Sequence, residues 1–220
     1  MNLHYRPEAI VEHFGDGGPF GVRMTYSRED PILGTAGAAR RLAGFLGSGP
    51  FVVVYGDVLT DLDLRSLLAF HHERAVRDPH TAVTMSLYRA PNPTEVGLVG
   101  LDTGTAPALR TGTAPALRTG TAPALRGNGR VTRFLEKPAP EEVFTDLANA
   151  GILVVEPSAL DAIPPDTFYD FGKHLLPQLL DAGASIYGWP IPEGTYLLDI
   201  GTLEKYDQAQ REWPRRRGRE

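Results

Sequence analysis

Cysteine is absent from the 220 residues. Disulfides, thiolate nucleophiles and cysteine metal sites are thereby excluded. Lysine is scarce as well, standing only at Lys137, Lys173 and Lys205 among many arginines, so a lysine inside a motif stands out from its background. Long apolar runs are missing. Phe51–Tyr55 is among the longest, far short of the roughly 20 residues that a spanning helix needs. No signal-peptide pattern opens the chain at Met1-Asn2-Leu3-His4-Tyr5, so no membrane contact is expected and cytoplasm is the default location. An excess of positive charge is also lacking. With a net charge of -5, there is no basic field to hold nucleic acid.

What is present belongs to an ordinary globular chain. The 42% hydrophobic and 22% charged residues are enough to build a core and a solvated surface. The pattern alternates strands and helices. Asn2 to Tyr5 reads as the end of a strand, Pro7 as the first residue of a helix through Phe14, and Val22 to Tyr26 as a strand. Thr35 is expected to cap a helix through Leu46, with Leu42, Phe45 and Leu46 on one face. Phe51 to Tyr55 has the composition of a strand buried on both faces. Asp63 can cap a helix whose Leu64, Leu67, Leu68 and His71 share a side. Thr81 to Tyr88, Asn149 to Val155, Ser185 to Trp189 and a run ending at Asp199 read as strands. Helices are expected over Phe171–Leu180 and Thr202–Trp213. Such alternation implies an α/β domain over residues 1–213 with a mainly parallel sheet, followed by a charged, frayed tail at 214–220.

Residues 103–126 repeat the octet Thr-Gly-Thr-Ala-Pro-Ala-Leu-Arg three times without a mismatch. A proline in each copy argues against a central strand, and the period is far below that of solenoid repeats. The segment reads as a loop insertion, with a binding role for Arg110, Arg118 and Arg126 as the alternative. Without it, Val96–Leu101 and Arg130–Phe134 join as a β-hairpin. Lengthening that loop costs only about 2 kcal/mol.

Ligands of such sheets sit at the carboxyl ends of strands, and four segments put chemistry there. Gly56-Asp57 follows the apolar run at Phe51–Tyr55. Gly56 permits close approach of backbone to ligand, and Asp57 supplies a carboxylate. Asp199-Ile200-Gly201-Thr202 repeats the arrangement, read either as helix capping or as a second oxygen ligand. Two carboxylates at one edge suit Mg²⁺, which shares its shell with phosphates and water. Glu136-Lys137-Pro138 places an acid that can accept from sugar hydroxyls beside an ammonium that can hold phosphate, or else forms a solvated surface turn. Leu33-Gly34-Thr35-Ala36-Gly37-Ala38 is a small-residue loop opening a helix. Its free N–H groups can face a planar ligand or an anion, or its small residues serve close helix packing. Asp61, in the turn after Gly56-Asp57, has no motif role.

Together with Asn149-Ala150-Gly151-Ile152 and Asp170-Phe171-Gly172-Lys173, these segments, in this order, resemble the sugar-1-phosphate nucleotidyltransferase family. The likeness is nearest to members that act on mannose 1-phosphate. It covers Asn2 to Gln210 apart from the octets. It implies a Rossmann-like nucleotide-diphospho-sugar transferase fold, a mixed sheet flanked by helices. It also implies an opening strand, a glycine-rich loop with a catalytic arginine and a Lys-Pro motif, none of which has a counterpart here. The resemblance therefore describes a domain lacking its first strand. By the same resemblance, Gly34, Thr35, Ala36 and Gly56 face the nucleotide, Asp57 and Asp199 hold Mg²⁺, and Glu136 and Lys137 contact the sugar and its phosphate. Gly97 and Asn149 contact the sugar. The implied partners are a nucleoside triphosphate and a sugar 1-phosphate, with GTP and mannose 1-phosphate the first pair and thymidylyl or uridylyl transfer to glucose-type phosphates the alternative. A truncated or regulatory homologue that binds sugar nucleotide without turning it over is the rival from another class. Homo-oligomerisation is left open.

Overall fold

A computed structural model describes residues 1–102 and 129–217. The octets fall outside the described residues. The chain forms α1 (Pro7–Phe14), α2 (Gly34–Arg41), α3 (Ala43–Leu46), α4 (Leu64–Arg77), α5 (Leu176–Asp181) and α6 (Leu203–Arg217). Its strands are β1 (Asn2–Leu3), β2 (Ser27–Arg28), β3 (Phe51–Val54), β4 (Val58–Thr60) and β5 (Thr81–Arg89). The remaining strands are β6 (Gly97–Leu101), β7 (Val131–Glu136), β8 (Leu147–Val155), β9 (Ser185–Pro190) and β10 (Leu197–Asp199).

The main sheet runs β7-β6-β8-β5-β9, with β3 added on β8. It is mixed and flanked by helices, as expected, but less parallel than expected. Only β5 and β9 pair in parallel within it, because β8 runs antiparallel to β3, β5 and β6. An apolar run encodes burial, not direction, so Phe51–Val54 gave no warning of this pairing. Val54 is 47% exposed, so β3 is not covered on both faces along its length.

β8 shows why its own apolar run is continuous. Leu153 and Val155 point into the core formed with Val83, Met85, Phe171 and Leu176, while Ile152 and Val154 point to the opposite face with Leu67 of α4. Alternate side chains on a strand face opposite ways, so both faces of β8 are buried. Phe171, Leu67 and Ile152 are fully buried, each contributing about 1.5–3 kcal/mol. Asp63 caps α4 as expected, accepting from Arg65 N.

Three sequence expectations fail locally. Val22–Tyr26 is not a strand: Val22 N donates to Gly17 O and Met24 N to Asp16 O, which holds the segment on the preceding turn. The pairing strand is instead β2, parallel to β1. Thr35 does not cap α2, whose N-cap is Leu33, and the helix breaks at Leu42 before α3, leaving Phe45 65% exposed. The expected frayed tail begins as helix, since α6 continues through Pro214 to Arg217.

Candidate functional site

The β6–β7 hairpin pairs Gly97 with Glu136. A Cβ on Gly97 would lie 2.5 Å from Glu136 Oε2 and 2.6 Å from the Phe134 ring, so only glycine leaves the carboxylate its place. Gly172, on the turn entering α5, presses on the same oxygen: a Cβ there would also lie 2.5 Å from Glu136 Oε2. The Glu136 carboxylate is thus held between two glycines of distant segments. Burial raises its pKa and the nearby Asp170 raises it further, while Lys137 and Lys173 act in the opposite sense. Lys137 itself is exposed, with φ 48°, and its N–H donates to Val96 O. Among the described residues no ion pair engages it, so the solvated-pair reading of Glu136-Lys137 is not what the turn adopts.

Asp170 caps the Phe171–Leu175 π-turn before α5, accepting from Gly172 N and Lys173 N. Its other oxygen accepts from the Thr35 hydroxyl at 2.8 Å, and Thr35 Oγ1 accepts from Phe171 N at 2.9 Å. Thr35 is therefore a strut between the small-residue loop and the Asp-Phe-Gly-Lys turn. The same turn corrects the expectation of free N–H groups in the small-residue loop. Ala36 N and Gly37 N both donate to Tyr169 O, and a Cβ on Gly34 would lie 2.7 Å from that oxygen. Ala36 has no exposed surface and belongs to the core. Close packing, not an open anion cradle, explains the small residues at 36–38.

Tyr55 joins these groups to the aspartates. Its ring lies over Gly151, where a Cβ would be 3.1 Å from Tyr55 Cδ2, and its N–H donates to Gly151 O. Burial raises its hydroxyl pKa, the charges of Asp170, Glu136 and Asp57 raise it further, and a hydrogen bond with Thr35 acts in the opposite sense. Gly151 takes φ 74° in a turn that Asn149 Oδ1 closes by accepting from Gly151 N at 3.0 Å. Asn149 thus spends its carbonyl on the turn and leaves its amide N–H₂ as the donor it can offer.

Asp57 and Asp199 are brought together by the β4–β10 pair, where Val58 opposes Asp199 and Ile200 N donates to Asp57 O. A Cβ on Gly201 would lie 3.0 Å from Asp199 Oδ1 and 3.5 Å from Asp57 Oδ2, so Gly201 leaves a small open space between the two carboxylates. Asp199 Oδ1 accepts from Gly201 N, the capping reading, and Oδ2 has no hydrogen bond among the described residues. Among the described residues no group of three or more His, Asp or Glu is placed to hold a metal. A two-carboxylate space fits a cation that takes most of its ligands from phosphate and water. Gly56 faces open space, and no other atom among the described residues lies within 4 Å of a Cβ placed there.

Thr35, Asp57, Glu136 and Asp199 therefore share the edge at the carboxyl ends of β3 and β5, with Gly97 and Asn149 shaping it. Asp170, Gly172 and Tyr55 were not singled out as site residues from the sequence. Asp170 and Gly172 were legible only as part of the Asp-Phe-Gly-Lys motif, and Tyr55 only as the end of an apolar strand.

Open α/β sheets bind their ligands outside the carboxyl ends of the strands, where these carboxylates gather. The chain belongs to the nucleotidyl transferase family, which it matches over residues 1–215. It is 31% identical over 226 residues to the UTP–glucose-1-phosphate uridylyltransferase of Synechocystis sp., covering 96% of this chain and 50% of that protein. It is 32% identical over 207 residues to the mannose-1-phosphate guanylyltransferase of Mycobacterium tuberculosis, covering 94% of this chain and 48% of that protein. The chain thus spans about half the length of these curated relatives. In fold it is similar to the crystal structure of HddC from Yersinia pseudotuberculosis complexed with GMP-PN, with a TM-score of 0.67, 18% identity and coverage of 96% of this chain and 76% of that one. No helix among the described residues is long and apolar enough to cross a membrane.

Proposed function

We propose that this chain carries the site for nucleotidyl transfer from a nucleoside triphosphate to a sugar 1-phosphate. A phosphate oxygen of the sugar phosphate attacks the α-phosphorus, a P–O bond forms, the bond from α-phosphorus to the bridging oxygen breaks, and pyrophosphate leaves with its electron pair. The protein has little covalent chemistry to supply. Its task is to align two polyanions and neutralise their charge. The observation that carries the reading is the placement of Asp57 and Asp199 about Gly201, beside the Glu136 slot formed by Gly97 and Gly172.

In this reading Glu136 accepts from a sugar hydroxyl, Asn149 donates through its amide, and Lys137 meets the sugar phosphate as a point charge. Gly56 leaves room for the nucleotide, while Gly34 packs its loop against Tyr169 and Thr35 ties that loop to Asp170. Members of the family generally use a divalent metal, and Asp57 and Asp199 are the residues that would hold Mg²⁺ here. When bound, it would offset the negative charge that the α-phosphate and the departing pyrophosphate develop.

GTP with mannose 1-phosphate is the first substrate pair to test, supported by the likeness to the Mycobacterium tuberculosis guanylyltransferase. The likeness to the Synechocystis uridylyltransferase favours UTP with glucose 1-phosphate as the second. The test is pyrophosphate release over a matrix of GTP, UTP, dTTP and ATP against mannose and glucose 1-phosphates with Mg²⁺. One pair is expected to exceed the others at least about tenfold, the size of a one-contact discrimination. Failure of every pair to release pyrophosphate would leave the transfer reading without support, and the binding-only homologue would take its place.

A further inference from the structure

Asp57 and Asp199 stand at one end of a slender support. β4 and β10 pair over three residues each and form a ribbon separate from the main sheet. A two-stranded ribbon is marginal by itself, and a slip of one residue would turn Asp199 to its other side, away from Asp57. Side chains hold the register at the far end. Thr60 Oγ1 donates to Tyr196 O at 2.6 Å, and Asp61 Oδ1 accepts from Tyr196 N at 2.7 Å. Both backbone groups of the residue before β10 are thus bound from the end of β4. The second oxygen of Asp61 pairs with Arg216 in the last turn of α6, and Arg216 also donates to Gly194 O. The Tyr196 ring packs on Trp213 of the same helix with centroids 5.5 Å apart, and its hydroxyl donates to Glu212. α6 starts at Leu203, just after the Asp199–Thr202 turn. The helix therefore leaves one end of β10 and grips the other with its last turn.

We propose that Asp61 and Arg216 are a positioning pair for the reaction. By tying the last turn of α6 to the approach of β10 they hold the β4–β10 register, and through it the spacing of the Asp57 and Asp199 carboxylates that would hold Mg²⁺. The inference rests on the metal reading of those two aspartates above. A salt bridge that only seated α6 would need no bond to the strand. Asp61 instead spends one oxygen on Tyr196 N and the other on Arg216, so a single carboxylate sets both the helix and the register. The two residues are 155 positions apart, and neither stands in a motif. The size of the effect is bounded by the pair itself. Its side chains are 36% and 30% exposed, and an exposed ion pair shifts an equilibrium by at most about fivefold.

The test uses Asp61→Asn, Arg216→Gln, Arg216→Lys and the double variant Asp61→Asn/Arg216→Gln, with Asp199→Asn as the reference for a lost metal ligand. Asn at position 61 keeps an acceptor for Tyr196 N and loses only the charge. The probe is Mn²⁺ alone, which takes the same oxygen ligands as Mg²⁺, its free concentration read by electron paramagnetic resonance. The Mg²⁺ concentration for half-maximal pyrophosphate release is measured beside it with the best substrate pair. Asp61→Asn and Arg216→Gln should each bind Mn²⁺ about 2- to 5-fold more weakly and need more Mg²⁺ by a similar factor, with both KM values at saturating Mg²⁺ unchanged. Arg216→Lys should recover most of the loss. The double variant should be no worse than the weaker single one, since both remove the same contact. Parent-like Mn²⁺ affinity in both single variants would overturn the proposal even if their melting temperatures fell, since the pair would then serve stability alone. Additive losses would overturn it too. Arg216 lies in the last turn of α6, so its variants give the answer even if Asp61→Asn does not fold. If Asp199→Asn weakens Mn²⁺ binding while the pair variants do not, only this inference falls. If Asp199→Asn also binds Mn²⁺ like the parent, the metal reading falls and this inference with it.

Discussion

Thr35 and Asp170, 135 positions apart, are joined by a 2.8 Å hydrogen bond that locks the start of α2 to the turn entering α5. Thr35 Oγ1 also accepts from Phe171 N. Replacing it by valine keeps the shape but leaves a donor and an acceptor without partners in a half-buried place. Such loss costs about 1–3 kcal/mol. Thr35→Val should therefore lower the melting temperature by several degrees, and Thr35→Ser, which keeps the hydroxyl, should restore most of it. Differential scanning calorimetry of the two variants checks this. Equal stability of Thr35→Val and the parent would show that the strut contributes nothing.

Glu136 makes stability depend on pH in a defined sense. Its pKa in the folded chain is raised, first by burial and then by Asp170. Between the ordinary carboxylate value, about 4.3, and the raised one, the folded state holds a proton that the unfolded state has lost. Stability contributed by this group is complete below that window and falls as pH rises through it. Glu136→Gln removes the fall. The variant should match the parent at the acid end and become the more stable of the two as pH approaches neutrality, while losing sugar-phosphate binding. Melting temperatures from pH 4 to 7.5 test this. A constant difference across the range would mean that Glu136 titrates as an ordinary surface carboxylate.

The parts of this architecture with a local chemical cause were legible from the chain. Asp63 is an N-cap because its carboxylate reaches Arg65 N, and the sequence shows such a residue directly before an apolar-periodic run. The alternation of strands and helices was visible in the same way. What was not legible depends on contacts distant in sequence. β3 pairs antiparallel with β8 through Val53 and Leu153, residues 100 positions apart, and no local pattern fixes that direction. The site divides along the same line. Asp57, Glu136 and Asp199 could be picked out because an acid follows an apolar strand. Tyr55 and Gly172 gain their place only when the Gly151 turn and the Glu136 carboxylate are brought against them. For Ala36 the sequence left open a ligand-facing loop or close helix packing, and its place in the core follows the packing alternative.

Deleting residues 103–126 should leave the hairpin intact. The pairing of β6 with β7 reaches Leu101 and Val131, and Asp102 N donates to Arg130 O at 2.7 Å, so the hairpin is closed by residues outside the deletion. Shortening the connection lowers the entropy cost of closing it by about 2 kcal/mol or less. The deletion variant should therefore melt at or slightly above the temperature of the parent, with KM values for both substrates within about twofold, since surface changes away from special features are usually within about 0.5 kcal/mol. Loss of substrate binding on deletion would assign a ligand role to Arg110, Arg118 or Arg126.

Asp57 and Asp199 are the test of the metal reading. Asp57, in the turn between β3 and β4, and Asp199, at the end of β10, meet about Gly201, where the absence of a Cβ leaves space between them. Asp57→Asn and Asp199→Asn keep size and remove one negative charge each. If the pair holds Mg²⁺, losing either carboxylate weakens the neutralisation of the α-phosphate, and loss of one such electrostatic group typically costs about 10²–10³-fold in rate. Both variants should also need more Mg²⁺ to reach half-maximal rate, and their ligand-free melting temperatures should not fall. Gly201→Ala offers a third arm. A methyl group 3.0 Å from Asp199 Oδ1 narrows the space without changing charge, so it should likewise raise the Mg²⁺ needed for half-maximal rate. Asp61 is unsuitable as the neutral control, contrary to its reading as a turn residue without a role. It accepts from Tyr196 N at 2.7 Å and is ion-paired with Arg216, which positions the approach to β10. Glu12→Gln on the exposed side of α1 serves instead and should leave rate and stability as they are. Pyrophosphate release with the best substrate pair across a Mg²⁺ titration reads all four variants. Parent-like rates for both aspartate variants at every Mg²⁺ concentration would remove the metal from this pair of residues.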